Sequence, residues 1–261
     1  MAIATPATAT EQAVEVIGGS AAGPDLLLSC EHASRHLPAP WQWQAQDHWL
    51  RHTHWAYDIG AATLTRQLAQ QTGAAAALSR FSRLLIDANR PTDSDTLIRR
   101  QAQGRPVLLN AAVSAQDRAR RLAYWRGYHR ALGEQAQALA RRHQDGVLLA
   151  LHSFTPLYEG HVRELALGVL FDAEQGLGEK LLLWLRDRMA PLWQPMPGGA
   201  QGAVKLNEPY SGREGLIYSA QHHAEVTGLR AIEMEVRQDL IVEPGFRAAL
   251  VAALAAPEWR Q

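Results

Sequence analysis

Residues 25–32 read DLLLSCEH, a short apolar run that ends on side chains able to bind metal and to transfer protons. The run follows Gly23 and Pro24 and stops at polar residues, a pattern typical of a strand buried on both faces in the middle of a parallel sheet. In open α/β sheets, ligands bind just beyond the carboxyl ends of such strands. We therefore expect a functional site around Glu31 and His32.

A second apolar run repeats this pattern. Residues 147–153 read VLLALHS and end on His152 and Ser153. If the two strands are neighbours in the sheet, the imidazoles of His32 and His152 can meet, and imidazole is the commonest protein ligand for a metal such as zinc. In the alternative interpretation, each histidine only ends its strand and hydrogen-bonds a loop.

The bulk composition excludes several classes of function. The 261-residue chain has 26 basic and 26 acidic residues and a pI near 7.2, so no overall field draws it to nucleic acid or to an anionic membrane. Its single cysteine excludes an internal disulfide and fits a reducing, cytoplasmic location. We expect a small-molecule partner, and the sequence carries no signal of an oligomeric state.

The first 23 residues are rich in Ala, Thr and Gly. They carry no basic start followed by a long apolar core, so we expect neither a signal peptide nor a transmembrane helix there. We expect residues 1–23 to form a loose tail. Residues 24–261 are expected to form a single domain, since one α/β domain of this size is ordinary.

Strand and helix patterns alternate along the rest of the chain. Beyond the two runs above, strands are predicted at residues 74–78, 83–88, 165–171, 204–206 and 231–237, and helices at 57–72, 114–143, 177–189, 218–228 and 243–256. A short surface helix followed by a bend is predicted within residues 41–55. Residues 91–110 and 191–202 are expected to be irregular loops. This alternation predicts a three-layer α/β/α fold with a mostly parallel or mixed central sheet.

Asp58 falls at the start of the predicted helix 57–72. An acid there is favoured by the helix dipole, which is a purely structural explanation. In the functional interpretation, its carboxylate points back at the end of the first strand and serves as a third metal ligand beside His32 and His152. The sequence leaves both explanations open.

An Asn-Arg pair precedes Pro91 and is a candidate carboxylate clamp. Arg90 is held extended by the proline that follows it. A guanidinium fixed in this way can grip a carboxylate through two parallel hydrogen bonds, and Asn89 adds a neutral donor. Taken alone, the pair also fits an ordinary solvated turn.

The late strand at residues 231–237 alternates strictly. Ile232, Met234 and Val236 face one way, and the charged residues between them face the other. A strand with a charged face either lies at the edge of the sheet or lines a site. Glu233 and Glu235 are therefore candidate catalytic carboxylates, and Arg237 is a possible partner for either.

Taken together, these motifs resemble the N-formylglutamate amidohydrolase family, a branch of the zinc carboxypeptidase and aspartoacylase-like hydrolases. The resemblance extends from Leu26 to Ile241. Its pieces are CEHAS at residues 30–34, DIG at 58–60, Arg83 with DANRP at 87–91, His152 with Ser153, NEPY at 207–210, His223, and EVRQD at 235–239. Each piece is short, and their order and spacing make the match specific.

The resemblance implies a zinc-dependent hydrolase that cleaves the amide bond of a small N-acyl amino acid such as N-formylglutamate. One zinc ion would be held by His32, Asp58 and His152. The related carboxypeptidases have His-x-x-Glu at the first strand end, whereas Arg35 stands at the acidic position here. Glu31 is the alternative ligand, although adjacent strand residues point to opposite faces, so its use beside His32 would require a bulge.

The resemblance also implies roles for the remaining polar residues. Glu235 would be the general base, with Glu233 as the fallback, and Arg83 would stabilise the oxyanion. The substrate itself, a small-molecule carboxylate, would be bound by Asn89, Arg90, Asn207, Tyr210, His223 and Arg237.

Two other functions compete with this one. The first is a nucleophilic hydrolase in which a histidine activates Cys30 or Ser34. Against it, Cys30 lies on a strand and the chain has no Gly-x-Ser-x-Gly motif. The second is a carboxylate-binding or regulatory protein that keeps the fold without catalysis.

Overall fold

A computed structural model describes residues 13–20 and 23–261. Its centre is a seven-stranded mixed sheet in the order β1-β3-β2-β6-β11-β9-β10. These strands are β1 Val14–Ile17, β2 Leu26–Cys30, β3 Ala75–Ser79, β6 Val147–Phe154, β9 Leu167–Leu170, β10 Val204–Leu206 and β11 Arg230–Arg237. Two small hairpins lie outside the sheet, formed by β4 Gln101–Ala102 with β5 Arg105–Pro106, and by β7 Leu157–Tyr158 with β8 His161–Val162.

Most of the central strands are parallel. β2 pairs with β3 and β6, and β6 pairs with β11, all in parallel. β1 and β9 run antiparallel to β3 and β11, and β10 runs parallel to β9. The carboxyl ends of β2, β6 and β11 therefore meet at one edge, which is where a site is expected in a sheet of this kind.

Helices cover both faces of the sheet, as the alternation of elements predicted. The helices are α1 Ala61–Thr72, α2 Ala115–Ala140, α3 Gln175–Arg188, α4 Ala190–Trp193, α5 Gly199–Ala203, α6 Tyr218–Thr227, α7 Gln238–Ile241 and α8 Pro244–Ala255. One core contains Leu64 of α1, Leu181 of α3 and Leu250 of α8, and the other contains Leu132 of α2 and Ala220 of α6. The three-layer α/β/α prediction is confirmed.

The parity of the strands decides which side chains reach each layer. Ile232, Met234 and Val236 of β11 lie in the core under α1, α3 and α8. The intervening positions point to the opposite face because successive strand residues alternate. This leaves Glu233 and Glu235 on the face covered by α2 and α6.

Part of the predicted tail is an ordered strand. Residues 14–17 form β1 at the edge of the sheet, with Glu15 opposite Leu78 of β3, so the prediction of a loose tail is wrong there. Arg66 of α1 holds the strand through an ion pair with Glu15 at 2.7 Å. The rest of the predicted tail, at residues 1–12, 21 and 22, lies outside the described residues.

The strand predicted at residues 83–88 is instead a series of turns. Its backbone carbonyls are bound by side chains rather than by a neighbouring strand. The carbonyl oxygens of Leu84, Leu85 and Ala88 accept hydrogen bonds from Asn110, Arg121 and His129 respectively. Those side chains satisfy buried carbonyls that a strand ladder would otherwise have to satisfy.

Other differences concern the ends of elements and the predicted loops. The short helix predicted within residues 41–55 reduces to a 3-10 turn at Ala45–Asp47 within a series of bends. The helix predicted at 57–72 begins later, at Ala61. The segment 191–202, predicted to be irregular, contains most of α4 and α5. Among the described residues, no helix combines the length and the apolarity that a membrane crossing requires.

Candidate active site

Three neighbouring strands bring the candidate side chains together. His32 lies two residues beyond β2, His152 lies near the end of β6, and Glu235 lies directly opposite His152 in β11. Asp58 comes from the loop before α1, where its backbone N–H donates to the carbonyl oxygen of His32 at 2.9 Å. Parallel pairing of the strands therefore assembles a site from residues that are up to about two hundred positions apart.

A glycine allows the Asp58 loop to enter the helix at this point. Gly60 has a φ of +87°, and a Cβ placed there would clash with the side chain of Ile241. Both the backbone conformation and the close approach require glycine. The Gly60 position therefore fixes the direction from which Asp58 meets the strand ends.

Both imidazoles turn the same ring nitrogen toward Asp58. The Nδ1 atoms of His152 and His32 lie 2.8 and 3.4 Å from the Asp58 Oδ2 atom. The opposite nitrogen of each ring is held by a different carboxylate: His32 Nε2 lies 2.7 Å from Asp87, and His152 Nε2 lies 2.9 Å from Glu31. In metal sites, a carboxylate on the outer nitrogen orients the ring and raises its basicity toward the ion.

The geometry of this group fits a zinc ion. The candidate ligand atoms of His32, Asp58 and His152 all lie within 4.8 Å of one another, and all three residues are buried. In a tetrahedral site with bonds of about 2.0–2.1 Å, neighbouring ligand atoms are separated by about 3.3 Å. The observed separations of 2.8 and 3.4 Å lie close to that distance. Two imidazoles and one carboxylate also form a ligand set typical of catalytic zinc, with a position left open.

The charges around the group also favour a cation. Burial opposes a charge on His152, but Glu233, Asp58 and Glu31 raise the pKa of its imidazole well above the usual value. Burial likewise opposes ionisation of Asp58, yet His32 and His152 lower the pKa of its carboxyl. A field that retains a proton between these groups also favours a divalent cation in the same place.

Glu31, the alternative ligand, is engaged elsewhere. Its Oε2 atom pairs with the outer nitrogen of His152, and its Oε1 atom accepts a hydrogen bond from the Tyr128 hydroxyl at 2.9 Å. Although burial opposes ionisation, these hydrogen bonds lower the pKa of Glu31 to about 2. Glu31 thus orients His152 and does not join the group at Asp58.

The two carboxylates of β11 differ in their partners. Glu233 accepts a hydrogen bond from the Asn89 amide at 3.2 Å, whereas the Oε2 atom of Glu235 is buried and has no hydrogen-bond partner in the described part of the chain. Burial raises the pKa of both, and that of Glu235 lies well above its usual value. Glu235 therefore has the free oxygen and the raised proton affinity that a general base requires.

Glu233 and Glu235 also form a second cluster with His152, in which the candidate ligand atoms again lie within 4.8 Å of one another. The imidazole nitrogen nearest to Glu233, at 3.5 Å, is Nε2. Because Glu31 already binds that nitrogen, this cluster offers a poorer metal site than the one around Asp58.

Arg83 bridges two of these acids. Its guanidinium lies 3.4 Å from Asp58 and 3.0 Å from Asp87. Burial opposes its charge, but Asp87 and Asp58 raise the pKa of Arg83 above the usual value. Two of its five N–H groups are used in these contacts, and the side chain lines the cavity described next.

The site opens into a cavity of about 260 Å³. Its lining combines the candidate metal group, both β11 carboxylates, three arginines and several aromatic rings. The lining residues are His32, His54, Trp55, Asp58, Arg83, Asn89, Arg90, Arg99, His152, Ser153, Phe154, Thr155, Tyr158, Tyr210, Leu216, Glu233 and Glu235. A cavity of this size and polarity suits a small anionic molecule.

Of the predicted substrate-binding residues, Arg90 and Tyr210 line the cavity with groups still available. Arg90 donates one N–H group to the carbonyl oxygen of Asn89. Tyr210 accepts a hydrogen bond from Arg163 at 3.1 Å and keeps its own hydroxyl proton. Burial raises the pKa of Tyr210, so the hydroxyl stays neutral and able to donate.

Asn89 also lines the cavity, but the prediction that it donates to substrate needs correction. Its amide N–H groups bind Glu233 and the carbonyl oxygen of Leu216, and its amide oxygen accepts from the Ser219 N–H. Both donors are therefore used within the protein. Asn89 holds Glu233 and ties α6 to the site.

His223 and Asn207 do not line the cavity, contrary to the prediction. His223 lies on α6 and faces α2, where its Nε2 is 3.0 Å from Nδ1 of His129. Asn207 has a positive φ of 48°, and its side-chain oxygen accepts from the N–H groups of Phe171 and Gly212. The sequence marked both as polar residues near a site, but their polar atoms stabilise helix packing and a tight turn.

Arg237 is likewise outside the cavity lining. It pairs with Asp239 at 2.8 Å and donates to the carbonyl oxygens of Arg163 and Glu164. The expected pairing with Glu233 or Glu235 is wrong, because β11 ends at Arg237 and the side chain reaches the neighbouring loop instead.

The sequence interpretation missed several residues of the site. Asp87 was part of a recognised motif but had no role, although it stands four residues after Arg83 and binds both that residue and His32. His54 and Trp55 also line the cavity, and they come from an irregular segment in which spacing carries no signal, whereas Arg99 lies in the loop predicted at residues 91–110.

The nucleophilic alternative finds little support in the geometry. The Cys30 side chain is fully buried in the core under α1, and burial raises the pKa of its thiol. A catalytic thiol needs the opposite, an exposed site with a lowered pKa. Ser34 lies outside the cavity lining, and its hydroxyl accepts from the backbone N–H of His36.

Comparison with known proteins agrees with this arrangement. The sequence matches the N-formylglutamate amidohydrolase family over residues 24–242. Among solved structures, a gene product of Agrobacterium tumefaciens is 31% identical with a TM-score of 0.81, and the alignment covers 95% of this chain and 93% of that one. The N-formylglutamate amidohydrolase of Ralstonia eutropha JMP134 is 19% identical with a TM-score of 0.70, covers 94% and 95%, and shares the fold.

No curated protein matches the sequence at a significant level. The family match, however, spans more than four-fifths of the chain, and it includes both strand-end histidines, Asp58 and the two β11 carboxylates. A solved structure more than 30% identical over nearly its whole length has the same fold. On this evidence, the chain belongs to the N-formylglutamate amidohydrolase family and is an amidohydrolase.

Proposed function

We propose that this protein is a zinc-dependent hydrolase that cleaves the amide bond of a small N-acyl amino acid, N-formylglutamate being the first substrate to test. The observation that carries the proposal is the pair of imidazoles whose Nδ1 atoms converge on Asp58 while separate carboxylates hold their Nε2 atoms. This arrangement is the one that a catalytic zinc site with oriented histidines requires.

His32, Asp58 and His152 would hold the ion. When bound, zinc supplies a Lewis acid and lowers the pKa of a water molecule to about 7. Asp87 and Glu31 keep the two rings in the tautomer that presents Nδ1 as the donor of its lone pair. The five residues thus form one preorganised unit.

Glu235 would move the proton. Its unpartnered Oε2 faces the same cavity as the metal group, and its raised proton affinity lets it take a proton from the attacking water and return it to the leaving amine nitrogen. Proton transfer by a positioned side chain contributes roughly 10²–10⁴-fold to the rate.

Arg83 and Arg90 would act on the substrate. Arg83 keeps N–H groups for the developing oxyanion while Asp58 and Asp87 hold its position. Arg90 would bind the substrate carboxylate, with Tyr210 as a neutral donor nearby. Asn89 contributes indirectly, because it holds Glu233.

The proposal is tested with purified protein, first freed of metal with a chelator and then supplied with one equivalent of zinc. We expect hydrolysis of N-formyl amino acids by the zinc-loaded protein and its loss in the metal-free protein. Metal content is measured separately by elemental analysis. Zinc binding without turnover on a broad panel of N-acyl amino acids would instead support the carboxylate-binding, non-catalytic alternative.

A further inference from the structure

One wall of the cavity carries polar groups that no protein group satisfies. Arg99 lines this wall and is half-buried, and in residues 13–20 and 23–261 its guanidinium makes neither a hydrogen bond nor an ion pair. Its guanidinium carbon lies 5.5 Å from the centroid of the Trp55 ring. The guanidinium of Arg99 is therefore stacked on an aromatic face and has no ion-pair partner in the described part of the chain.

The neighbouring rings add two further unsatisfied atoms. The indole Nε1 of Trp55 and the imidazole Nε2 of His54 are buried without a hydrogen-bond partner in the described part of the chain. The two rings lie side by side, with centroids 4.8 Å apart, and Tyr158 flanks both. A buried donor without a partner costs free energy, so a ligand that supplies an acceptor is favoured here.

The electrostatic environment of this wall is positive. Burial lowers the pKa of Arg99, and the charges of Arg83 and Arg90 also lower it, while the charge of Asp87 offsets part of this effect. Burial and the charge of Arg83 lower the pKa of His54 to about 4 against the opposing charge of Asp58, so its ring is neutral and offers one N–H group near neutral pH. Arg83 forms ion pairs with two carboxylates, whereas Arg99 has none within ion-pair distance among the described residues.

We propose that Arg99, Trp55 and His54 form a second anion subsite. Substrates that use the whole cavity would then carry another carboxylate besides the one held at Arg90. This inference rests on the proposed amide hydrolysis and refines it. A guanidinium with flanking neutral N–H donors is suited to a carboxylate, because each oxygen can accept a charge-assisted hydrogen bond.

The second carboxylate could belong to either part of an N-acyl amino acid. It could be on the amino-acid side chain, as in N-formyl-L-glutamate, or on the acyl group, as in N-succinyl-L-alanine. Each of these is compared with the neutral compound in which that carboxylate is an amide. Wild-type protein should have a higher kcat/KM for a charged compound than for its neutral amide. The compound for which substitutions in the subsite remove this difference identifies which part of the substrate occupies the subsite.

Arg99→Gln is the principal variant. We expect it to lower kcat/KM for a doubly charged substrate by about 10–100-fold, the usual effect of losing a charge-assisted hydrogen bond, and to change the neutral counterpart by less than about 3-fold. Trp55→Phe keeps a ring and removes the N–H donor, so a smaller loss of about 3–10-fold is expected for the charged compound.

A matched control exists on the surface. Arg105 lies 4.5 Å from the centroid of the Trp49 ring and so also forms an arginine–tryptophan pair, but it is exposed and does not line the cavity. Arg105→Gln removes an arginine from such a pair without touching the proposed subsite. It should leave the ratio of kcat/KM between charged and neutral substrates unchanged.

The outcomes separate this proposal from the function it rests on. If the wild-type protein hydrolyses the panel but Arg99→Gln affects charged and neutral compounds equally, the subsite is refuted and amide hydrolysis stands. If zinc-loaded wild-type protein hydrolyses nothing, the proposed function is refuted, and calorimetric titration with glutarate decides the subsite. If Arg99→Gln binds glutarate about tenfold more weakly than the wild-type protein, the subsite is supported; if the two proteins bind glutarate equally, the subsite is refuted. Arg99→Lys keeps the positive charge at this position. If it keeps the preference for charged substrates that Arg99→Gln loses, the loss in Arg99→Gln is due to the missing charge and not to misfolding.

Discussion

Replacing Glu235 with glutamine tests the centre of the proposed chemistry. Glutamine has nearly the same shape, so packing on β11 is kept, but its amide cannot take a proton from water. Since Glu235 has the unpartnered oxygen and general base catalysis contributes roughly 10²–10⁴-fold, kcat should fall by about that factor. Zinc content should remain at one ion per chain, because Glu235 is not among the proposed ligands.

Although Glu235→Gln should lower kcat, we expect it to increase the stability of the metal-free protein near neutral pH. Burial raises the pKa of Glu235 well above its usual value of 4.5, so the folded protein binds this proton more tightly than the unfolded chain. Its contribution to stability is present at low pH and is lost as pH rises above the usual value of 4.5. Metal-free Glu235→Gln protein should therefore unfold at a higher temperature than metal-free wild type near neutral pH, and the difference should shrink in acid.

Glu233→Gln is the matched control for the measurement of kcat. It lies on the same strand face, but its carboxylate already accepts a hydrogen bond from Asn89, which a glutamine oxygen can also accept. We expect a loss of less than about tenfold in kcat. If Glu235→Gln kept ordinary turnover while Glu233→Gln lost it, the assignment of the base would be reversed. Full activity in both variants would refute the proton-transfer mechanism.

Three further predictions concern the groups around the centre. Asp87→Asn should weaken zinc binding by about 10–100-fold in a competition titration, because the outer nitrogen of His32 loses its carboxylate. Unchanged affinity would contradict this orienting role. Arg90→Ala should raise KM by about 10–100-fold for carboxylate-bearing amides and have little effect on a neutral amide; an equal loss for both would argue against a carboxylate clamp. Burial lowers the pKa values of His129 and His223 to about 3 and about 4 from 6.5, so their contribution to stability is complete above pH 6.5 and is lost as pH falls toward 4. Urea unfolding of metal-free protein across this range should show that loss, and a double substitution of both histidines by glutamine should flatten it.

The sequence was sufficient to predict the strands that carry the site. Two patterns carry this information: the apolar runs before His32 and His152, and the strict alternation of residues 231–237. Such patterns arise from burial of strand faces in the core, so they predict buried strands directly. The structure shows the three strands as β2, β6 and β11, adjacent and parallel. Parallel pairing then requires their carboxyl ends to meet, so the prediction that His32 and His152 meet is confirmed by ring centroids 4.8 Å apart.

What could not be predicted depends on the contacts that single side chains make with distant parts of the chain. Asn207 and His223 are polar residues in recognised motifs, but whether such a residue faces a cavity or satisfies a turn depends on contacts distant in sequence. The segment 83–88 looks like a strand because it contains the buried apolar run Leu84, Leu85 and Ile86. It is a series of turns because Asn110, Arg121 and His129 supply hydrogen bonds from other elements. No local pattern contains that information.

The central place of β11 in the sheet links correct folding to correct chemistry. Its paired neighbours on both sides admit one register, in which Ile232, Met234 and Val236 enter hydrocarbon and Glu235 stands beside His152. A slip of one residue would exchange the two sets and bury three charged groups among leucines, which is prohibitively unfavourable. Chains with a misaligned Glu235 carboxylate would therefore fail to fold rather than accumulate as folded protein. An engineer who varies this strand should expect expression level and turnover to fall together.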